Sequence, residues 1–255
     1  MWKNNLFSNT ECSIIHEAPL SVNIQGKPYT VVLRTPGDES AHAAGLCFAE
    51  GIINSPDDIN SIIFSDDKDN NEIRLTLKES RINKISHILE RRSHISQTSC
   101  NNLIKDLKAA VTPSSDTITI SPGQALNCLE NLSKHQPLRS ETHASHAAAL
   151  YSSEFKLLGV MEDVGRHNAL DKVTGQALLD KKLRKASILT LSSRISYELV
   201  QKAARAQISI ILAISRPTSL AVNMASRLKI TLACLVRDSG LYIFTGEDRF
   251  NIRSL

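Results

Sequence analysis

Three turns in the second half of this chain each carry an arginine. Each turn follows a short apolar segment and places its arginine beside small or hydroxyl-bearing residues, in EDVGRHN at 162–168, SSRIS at 192–196 and SRPT at 215–218. A planar guanidinium pairs with two phosphate oxygens at once, and hydroxyls and backbone amides add further contacts. The three turns together predict a site for a diphosphate or dinucleotide, although any single turn is also consistent with a helix cap and a solvated arginine.

Two histidines lie close to these turns along the chain. His146 stands in ETHASHAAAL and His167 follows the arginine of the first turn. Imidazole titrates near neutral pH, so both are candidate acid–base groups, and a purely structural role stays open for each. The chain contains no GxGxxG, GxxxxGK[ST], HExxH or GxSxG pattern. The common sequence motifs of nucleotide-binding proteins, zinc proteases and hydrolases therefore indicate no other site.

The five cysteines include one candidate nucleophile. An odd number of cysteines without a CxxC pair argues against a disulfide framework, and Cys47, Cys128 and Cys234 stand in apolar segments that predict burial. Cys100 lies instead in the polar run QTSCNN, near several basic residues that would favour its thiolate. These are Arg91, Arg92, His94 and Lys105. The alternative is an exposed thiol without a role.

The elements that position the three turns alternate along the chain. Apolar segments at 157–163, 186–192, 209–215 and 230–236 predict strands, and amphipathic helices are predicted to begin at Arg166, Ile195 and Pro217. Such alternation is typical of an α/β fold with a mainly parallel sheet. Ligands of these sheets bind beyond the carboxyl ends of the strands, so the three turns are expected to share one edge.

The first part of the chain has a different pattern. Segments at 21–35 and 61–78 predict two hairpins, and Asp38 is expected to cap a helix between them. Residues 92–121 are the least regular stretch. We therefore predict a smaller N-terminal α+β domain at residues 1–115, which ends in the Cys100 loop, and an α/β domain at residues 116–255.

Composition excludes several classes of protein. The net charge of +4 is spread along the chain and aromatic residues make up only 4%, which does not indicate nucleic-acid binding. The start of the chain lacks the features of a secretory signal, and no apolar run is long enough to span a bilayer. The expected location is the cytoplasm, without membrane association.

The segment EDVGRHNALDKVTGQAL is very similar to the block EDxGRHNAxDKxxG of the FdhD family. The resemblance extends over about residues 15 to 250: GLCFAEGII resembles the family's helix ending in EGII, THASHAAAL resembles TGGxHxAAL, and the segment from Leu191 to Ala225 resembles SGRxSxExxxKAxxAGxPxxxSxxAPTxLAV. TLACLVRDSGLYIFT resembles the closing segment of the family.

This resemblance implies an accessory sulfurtransferase of formate dehydrogenase maturation. Family members take sulfur from a cysteine desulfurase as a cysteine persulfide and pass it to the molybdenum of a bis-molybdopterin guanine dinucleotide cofactor. The resemblance also implies a homodimer whose C-terminal domain is a three-layer α/β domain like the cytidine deaminases. A zinc deaminase itself is excluded, because the chain lacks the H-x-E and P-C-x-x-C patterns of that site.

Site residues are implied by the same resemblance. Cys100 would carry the persulfide, and the cofactor would be held by the segment that matches the family's cofactor-binding stretch together with the arginine turns and His146. These residues are Leu235, Val236, Arg237, Asp238, Ser239, Gly240, Arg166, His167, Asn168, Arg194, Arg216, Thr218 and His146.

The chain departs from the family at the cysteine loop. The family element SCGxCG is here SCNNLI at 99–104, so Cys100 is present while Leu103 replaces the second cysteine. His143 and Ala144 replace two glycines, and Ser193 replaces the glycine of SGR. The alternative function is therefore a chaperone that binds the molybdenum cofactor, with weak or no sulfur transfer.

Overall fold

The computed structural model describes residues 2–3, 6–7, 9–67, 70–83, 117–236 and 240–251. The strands are β1 (Trp2–Lys3), β2 (Leu6–Phe7), β3 (Ala18–Ile24), β4 (Lys27–Arg34), β5 (Ile59–Asp67), β6 (Asn70–Leu77), β7 (His146–Ser152), β8 (Leu157–Asp163), β9 (Ala186–Leu191), β10 (Ile210–Ala213), β11 (Thr231–Val236) and β12 (Gly240–Thr245). The α-helices with bounds inside these ranges are α1 (Glu39–Ala49), α2 (Pro122–Lys134), α3 (Pro137–Thr142), α4 (Arg166–Leu179), α5 (Tyr197–Arg205) and α6 (Ser219–Arg227). Short 3-10 helices lie at Pro56–Asp58, Leu183–Lys185 and Glu247–Arg249.

The N-terminal part forms a four-stranded sheet in the order β4-β3-β6-β5. Both predicted hairpins are confirmed, and the parallel pairing of β3 with β6 joins them. Helix α1 follows Asp38 as predicted, but the Asp38 side chain makes no capping hydrogen bond. The backbone of Asp38 is in the left-handed region, with φ of 58°, instead of the extended conformation that N-cap residues usually adopt.

A six-stranded sheet in the order β12-β11-β10-β9-β7-β8 carries the C-terminal part. Strands β8, β9, β10 and β11 share one direction, while β7 and β12 run against it. The sheet is therefore mixed, because the alanine-rich segment His146–Ser152, which the sequence pattern did not identify as a strand, lies between β8 and β9. Smaller corrections are the starts of α5 and α6, two residues after the predicted starts at Ile195 and Pro217.

Helices cover both faces of the larger sheet. Helix α2 packs on one face through Ala125, Cys128, Leu129 and Leu132. Helices α4, α5 and α6 pack on the other, in a core that continues through α1 into the N-terminal sheet. One hydrophobic core therefore joins the two parts of the chain, and the predicted boundary near residue 115 lies outside the described residues.

Helices α1 and α4 cross at very short distance because glycines lie at the contact. A Cβ atom added to Gly45 would lie 1.9 Å from the carbonyl oxygen of Asp171, and one added to Gly175 would lie 1.8 Å from that of Ala41. The two backbones touch where neither glycine carries a side chain. This contact fixes α4, and hence the turn before it, relative to the N-terminal part.

Candidate anion site at the carboxyl edge of the larger sheet

The three arginine turns lie on one edge of the six-stranded sheet, as predicted. They follow the ends of β8, β9 and β10, which point in the same direction. Because β7 runs in the opposite direction, its first residue, His146, lies at this edge too, paired with Asp163. We call this the carboxyl edge: turns 163–168, 192–196 and 215–218, the start of β7 and the end of β11.

The first turn is organised by the buried carboxylate of Asp163. Its Oδ1 accepts hydrogen bonds from the backbone of Gly165 at 2.8 Å and from the side-chain amide of Asn168 at 2.9 Å. Its Oδ2 accepts from the backbone N–H of Thr35 at 3.1 Å and lies 2.8 Å from Nζ of Lys172. Asp163 is fully buried, so its carboxylate has a structural role: it connects the first turn to the N-terminal part of the chain.

Asn168, a predicted cofactor ligand, also makes contacts within the protein. Besides its bond to Asp163, its Nδ2 donates to the carbonyl oxygen of Leu33 in β4 at 2.7 Å. Both amide hydrogens are therefore used in holding the turn against the N-terminal sheet.

Arg166 and His167 differ from Asp163 and Asn168, whose side chains are held by contacts with the N-terminal part. Arg166 is half-buried, and its buried Nε has no hydrogen-bond partner among the described residues. His167 is also half-buried, with Nε2 at 2.9 Å from Oε2 of Glu198 and 3.4 Å from Oγ of Ser196, both at the start of α5. Burial lowers the pKa of His167, and the charge of Glu198 partly opposes that shift.

The second and third turns are joined by a short backbone ladder. Ile195 donates its N–H to the carbonyl oxygen of Arg216, and Thr218 donates its N–H to that of Ile195, so Ile195 and Pro217 pair as extended residues. This pairing explains the late starts of α5 and α6. It also fixes the spacing between the turn that carries Arg194 and the turn that carries Arg216.

Arg194 and Arg216 are both exposed at this edge. The guanidinium of Arg216 lies 4.9 Å from the ring centre of Tyr242 on β12, a cation–π contact that supports it without neutralising it. Thr218 caps α6, since its Oγ1 accepts from the backbone of Ala221 at 3.2 Å. Thr218 is exposed nevertheless, so capping leaves its hydroxyl hydrogen free to donate.

His146 lies beside a fourth arginine that the sequence did not single out. Nη1 of Arg139 in α3 donates to the carbonyl oxygen of Ser145 at 2.9 Å. Glu162 holds this arrangement, because its carboxylate accepts from the backbones of Leu138 and Arg139 and from the hydroxyl of Ser145. The only sequence signal for Arg139 was its position shortly before the histidine segment.

Two of the predicted site elements fall partly or wholly outside the described residues. Cys100 lies there, as do Arg237, Asp238 and Ser239. Leu235 and Val236 end β11 half-buried, and Gly240 begins β12, paired with Val236. The ends of this segment therefore lie at the carboxyl edge, next to the third turn.

Other predictions concern cysteines, metals and membranes. Cys47, Cys128 and Cys234 are buried as predicted, and burial raises the pKa of Cys128 to about 11 and that of Cys234 to about 12. Within the described ranges, His, Cys, Asp and Glu form no group of three or more that could hold a metal ion. None of the helices in the described ranges is both long and apolar enough to cross a bilayer.

Comparison with known proteins gives one consistent family. The chain matches the FdhD/NarQ family over residues 15–251. A Streptomyces coelicolor protein named sulfur carrier protein FdhD is 34% identical over 254 residues, covering 95% of this chain and 90% of the relative. A protein of the same name from Sulfolobus acidocaldarius is 32% identical over 258 residues, covering 98% and 96%.

The fold agrees with a solved structure. A crystal structure from Desulfotalea psychrophila, described as a formate dehydrogenase accessory protein, superposes with a TM-score of 0.78 at 22% identity and covers 98% of this chain and 96% of that one. At this identity the likeness concerns the fold alone. The family match and both relatives extend over nearly the whole chain, and this protein therefore belongs to the FdhD/NarQ family.

Proposed function

We propose that this protein is a sulfur carrier of formate dehydrogenase maturation, a sulfurtransferase that moves persulfide sulfur from a cysteine desulfurase to the molybdenum of bis-molybdopterin guanine dinucleotide. The observation that carries the proposal is the carboxyl edge, where the charges of Arg139, Arg166 and Arg194 act on His146 and Arg216 lies exposed on the third turn. The relatives of the protein are named sulfur carriers. The cofactor is the substrate, and it brings the diphosphates that such an edge suits.

Charge and geometry both support an anionic ligand. The N-termini of α4, α5 and α6 lie at the carboxyl edge, where unpaired backbone N–H groups and the positive ends of the helix dipoles favour phosphate. The half-buried Arg166, whose Nε has no hydrogen-bond partner among the described residues, and the exposed Arg194 both supply guanidinium groups for phosphate oxygens. The pairing of Ile195 with Pro217 holds the second and third turns at fixed spacing, as two phosphates of one ligand require.

Cys100 has the chemical role of the carrier in this proposal. Its thiolate attacks the outer sulfur of the desulfurase persulfide, forms the Cys100 persulfide and releases the desulfurase thiolate. An ordinary thiol is only a few per cent thiolate at neutral pH, so the basic residues around Cys100 in sequence would raise the reactive fraction. The S–S bond of the persulfide would then break at the carboxyl edge: the outer sulfur would become a sulfide ligand of the substrate's reduced molybdenum, which would supply the two electrons, and Cys100 would return to its thiolate.

The proposal includes the assembly and setting that go with this role. The protein acts in the cytoplasm as a homodimer, and its C-terminal part has the layer arrangement of the cytidine deaminases. The six-stranded sheet with helices on both faces is compatible with that arrangement. Its partners are a cysteine desulfurase and formate dehydrogenase.

Persulfide formation tests the carrier role directly. The protein is incubated with a cysteine desulfurase and cysteine, and peptides are analysed by mass spectrometry for one added sulfur atom on Cys100. Cys12 provides the matched control, because it is an exposed free thiol. Cys12→Ser is expected to retain sulfur loading and formate dehydrogenase maturation, and Cys100→Ala to lose both. Full maturation with Cys100→Ala would refute the carrier role.

The loss of the second loop cysteine favours one alternative, a chaperone that binds the cofactor without transferring sulfur. Leu103 excludes resolution of the persulfide through a disulfide within the loop. The chaperone binds guanine nucleotides at the carboxyl edge but gains no sulfur on Cys100. Leu103→Cys distinguishes the two functions: if it creates sulfur transfer that the natural chain lacks, the chaperone function is correct.

Binding of guanosine diphosphate tests the carboxyl edge. Arg166→Gln and Arg194→Gln are each expected to weaken binding about tenfold or more, because each removes a charge-assisted contact of about 1.5–3 kcal/mol. Arg184→Gln is the matched control, since Arg184 is exposed and precedes β9 at the opposite edge. Equal effects of all three substitutions would show that the nucleotide does not bind at the carboxyl edge.

A further inference from the structure

His146 occupies an unusual electrostatic position at the carboxyl edge. As the first residue of β7 it lies between the end of β8 and the end of β9, with Asp163 paired to it on one side. The residue after it, Ala147, donates its N–H to Oγ of Ser192 in the second turn at 2.8 Å. The residue before it, Ser145, accepts from Arg139 at its carbonyl oxygen. The half-buried His146 therefore lies between the first turn, the second turn and α3.

The charges that face His146 from these elements are mostly positive. Arg139 comes from α3, Arg166 from the start of α4 and Arg194 from the second turn, and burial together with these three charges lowers the pKa of His146. The neutral imidazole therefore predominates at neutral pH.

The nearby carboxylates do not offset this positive field. Asp163 is paired with Lys172. Glu162 is occupied by backbone N–H groups of α3 and by the Ser145 hydroxyl. Glu198 at the start of α5 contacts His167. Each carboxylate thus has its own partners, and burial, followed by the charges of the three arginines, lowers the pKa of His146.

We propose that His146 takes up a proton when a diphosphate diester binds at the carboxyl edge, so that ligand binding and protonation of this imidazole stabilise each other. An anion among the three arginines neutralises the field that disfavours imidazolium and adds a negative charge beside the ring. The protonated ring then donates a charge-assisted hydrogen bond to phosphate. This proton uptake rests on the proposed function, which supplies the diphosphate of the cofactor as the ligand.

The sign of the pH dependence follows from linkage. Because the imidazole is mainly neutral in the free protein and gains a proton on binding, affinity rises as pH falls through the pKa of His146 in the complex. Affinity stops rising once the imidazole is protonated in the free protein as well. One linked proton limits the change to about tenfold in affinity per pH unit.

Calorimetry with a ligand that does not titrate measures this linkage. The probe is diguanosine diphosphate, two guanosines joined through a pyrophosphate, because its phosphates are diesters without a protonation step near neutral pH. Binding is measured at one pH in buffers of different ionisation enthalpy, which gives the number of protons taken up. We expect a fraction of one proton per ligand near pH 7, and several-fold tighter binding at pH 6 than at pH 8.

Two variants assign the proton. His146→Gln is expected to bind the probe without proton uptake and without the pH dependence. His143→Asn is the matched control, since His143 is an exposed histidine of the same loop in a left-handed backbone conformation that asparagine tolerates. This variant is expected to keep the full proton uptake.

A direct titration keeps the test independent of the variant's stability. The His146 ring resonances of the natural chain are followed by NMR with pH, free and saturated with the probe, and the pKa is expected to rise on binding. Binding without proton uptake, or uptake that persists in His146→Gln, overturns the role of His146 alone. Failure of the probe to bind at all overturns the nucleotide site of the proposed function as well.

Discussion

The buried ion pair between Asp163 and Lys172 should be the most sensitive point of the first turn. Both side chains are almost completely buried, at 0% and 1% exposed, and their charged atoms are 2.8 Å apart. Nζ of Lys172 also donates to the carbonyl oxygen of Thr35 at 2.8 Å. Lys172→Met keeps the length and apolar stem of the side chain but removes its charge and these contacts.

The magnitude of the loss follows from what remains around the carboxylate. Removing one partner of a buried pair costs about 3–5 kcal/mol, because an uncompensated charge stays in the interior. Here Asp163 retains three donors, from Thr35, Gly165 and Asn168, which continue to stabilise the anion. We therefore expect the lower end of the range, a loss of about 3 kcal/mol in the free energy of unfolding.

Urea unfolding at neutral pH measures this loss, provided that the slope m stays constant. The double variant Asp163→Asn with Lys172→Met removes both charges and is expected to be at least about 1 kcal/mol more stable than the sum of the single losses predicts. Lys156→Met is the control, because the pair of Lys156 with Glu154 is exposed, and no measurable change is expected. A loss below about 1 kcal/mol for Lys172→Met, or strictly additive single losses, would refute the reasoning.

Three further predictions concern packing, protonation and thiol reactivity. Gly45→Ala places a Cβ 1.9 Å from a backbone oxygen of α4 and should cost about 1–3 kcal/mol or more in urea unfolding, whereas Gly123→Ala, whose Cβ meets only a hydroxyl at 4.0 Å, should be neutral or stabilising. Burial lowers the pKa of His42 to about 4, so unfolding measured from pH 7 to pH 4 should show about 3 kcal/mol of stability lost below pH 6.5. His42→Met should remove that loss, and an unchanged pH profile would contradict it. Cys128 and Cys234 should resist alkylation at pH 8 in the folded protein and react on unfolding; fast labelling of either in the native state would disprove their burial.

The sequence predicted the elements whose pattern is strong and local. The β-branched segments of β9, β10 and β11 and the glycine turn between β3 and β4 carry their own signals. The sequence signal for strand β7 was weak, because its sequence HAAALYS has low β propensity. Burial decides its pairing between β8 and β9. Likewise, the late start of α6 follows from the pairing of Pro217 with Ile195, which lies far from it along the chain.

The sequence could predict those features of the candidate site that follow from the direction of the strands. Strands that share a direction bring their ends together, so the three turns could be placed on one edge. The contacts between Arg139, Glu162 and Ser145 depend on α3 and on the unrecognised β7, so the sequence placed Glu162 in the first turn without indicating its partners. Asn168 has a structural role because its side chain donates to the carbonyl oxygen of Leu33, which lies 135 residues earlier in the chain and so gave no local signal.

The residues of the first turn that contribute to stability are different from those proposed to bind the ligand. Asp163 and Lys172 point into the protein and meet the N-terminal part, whereas Arg166 and His167 lie half-exposed at the carboxyl edge. Lys172→Met should therefore lower the unfolding free energy, while Arg166→Gln should weaken nucleotide binding with little change in stability. The motif thus has two roles on opposite sides of one turn: it joins the N-terminal part to the larger sheet, and it places Arg166 at the carboxyl edge, where we propose that the ligand binds.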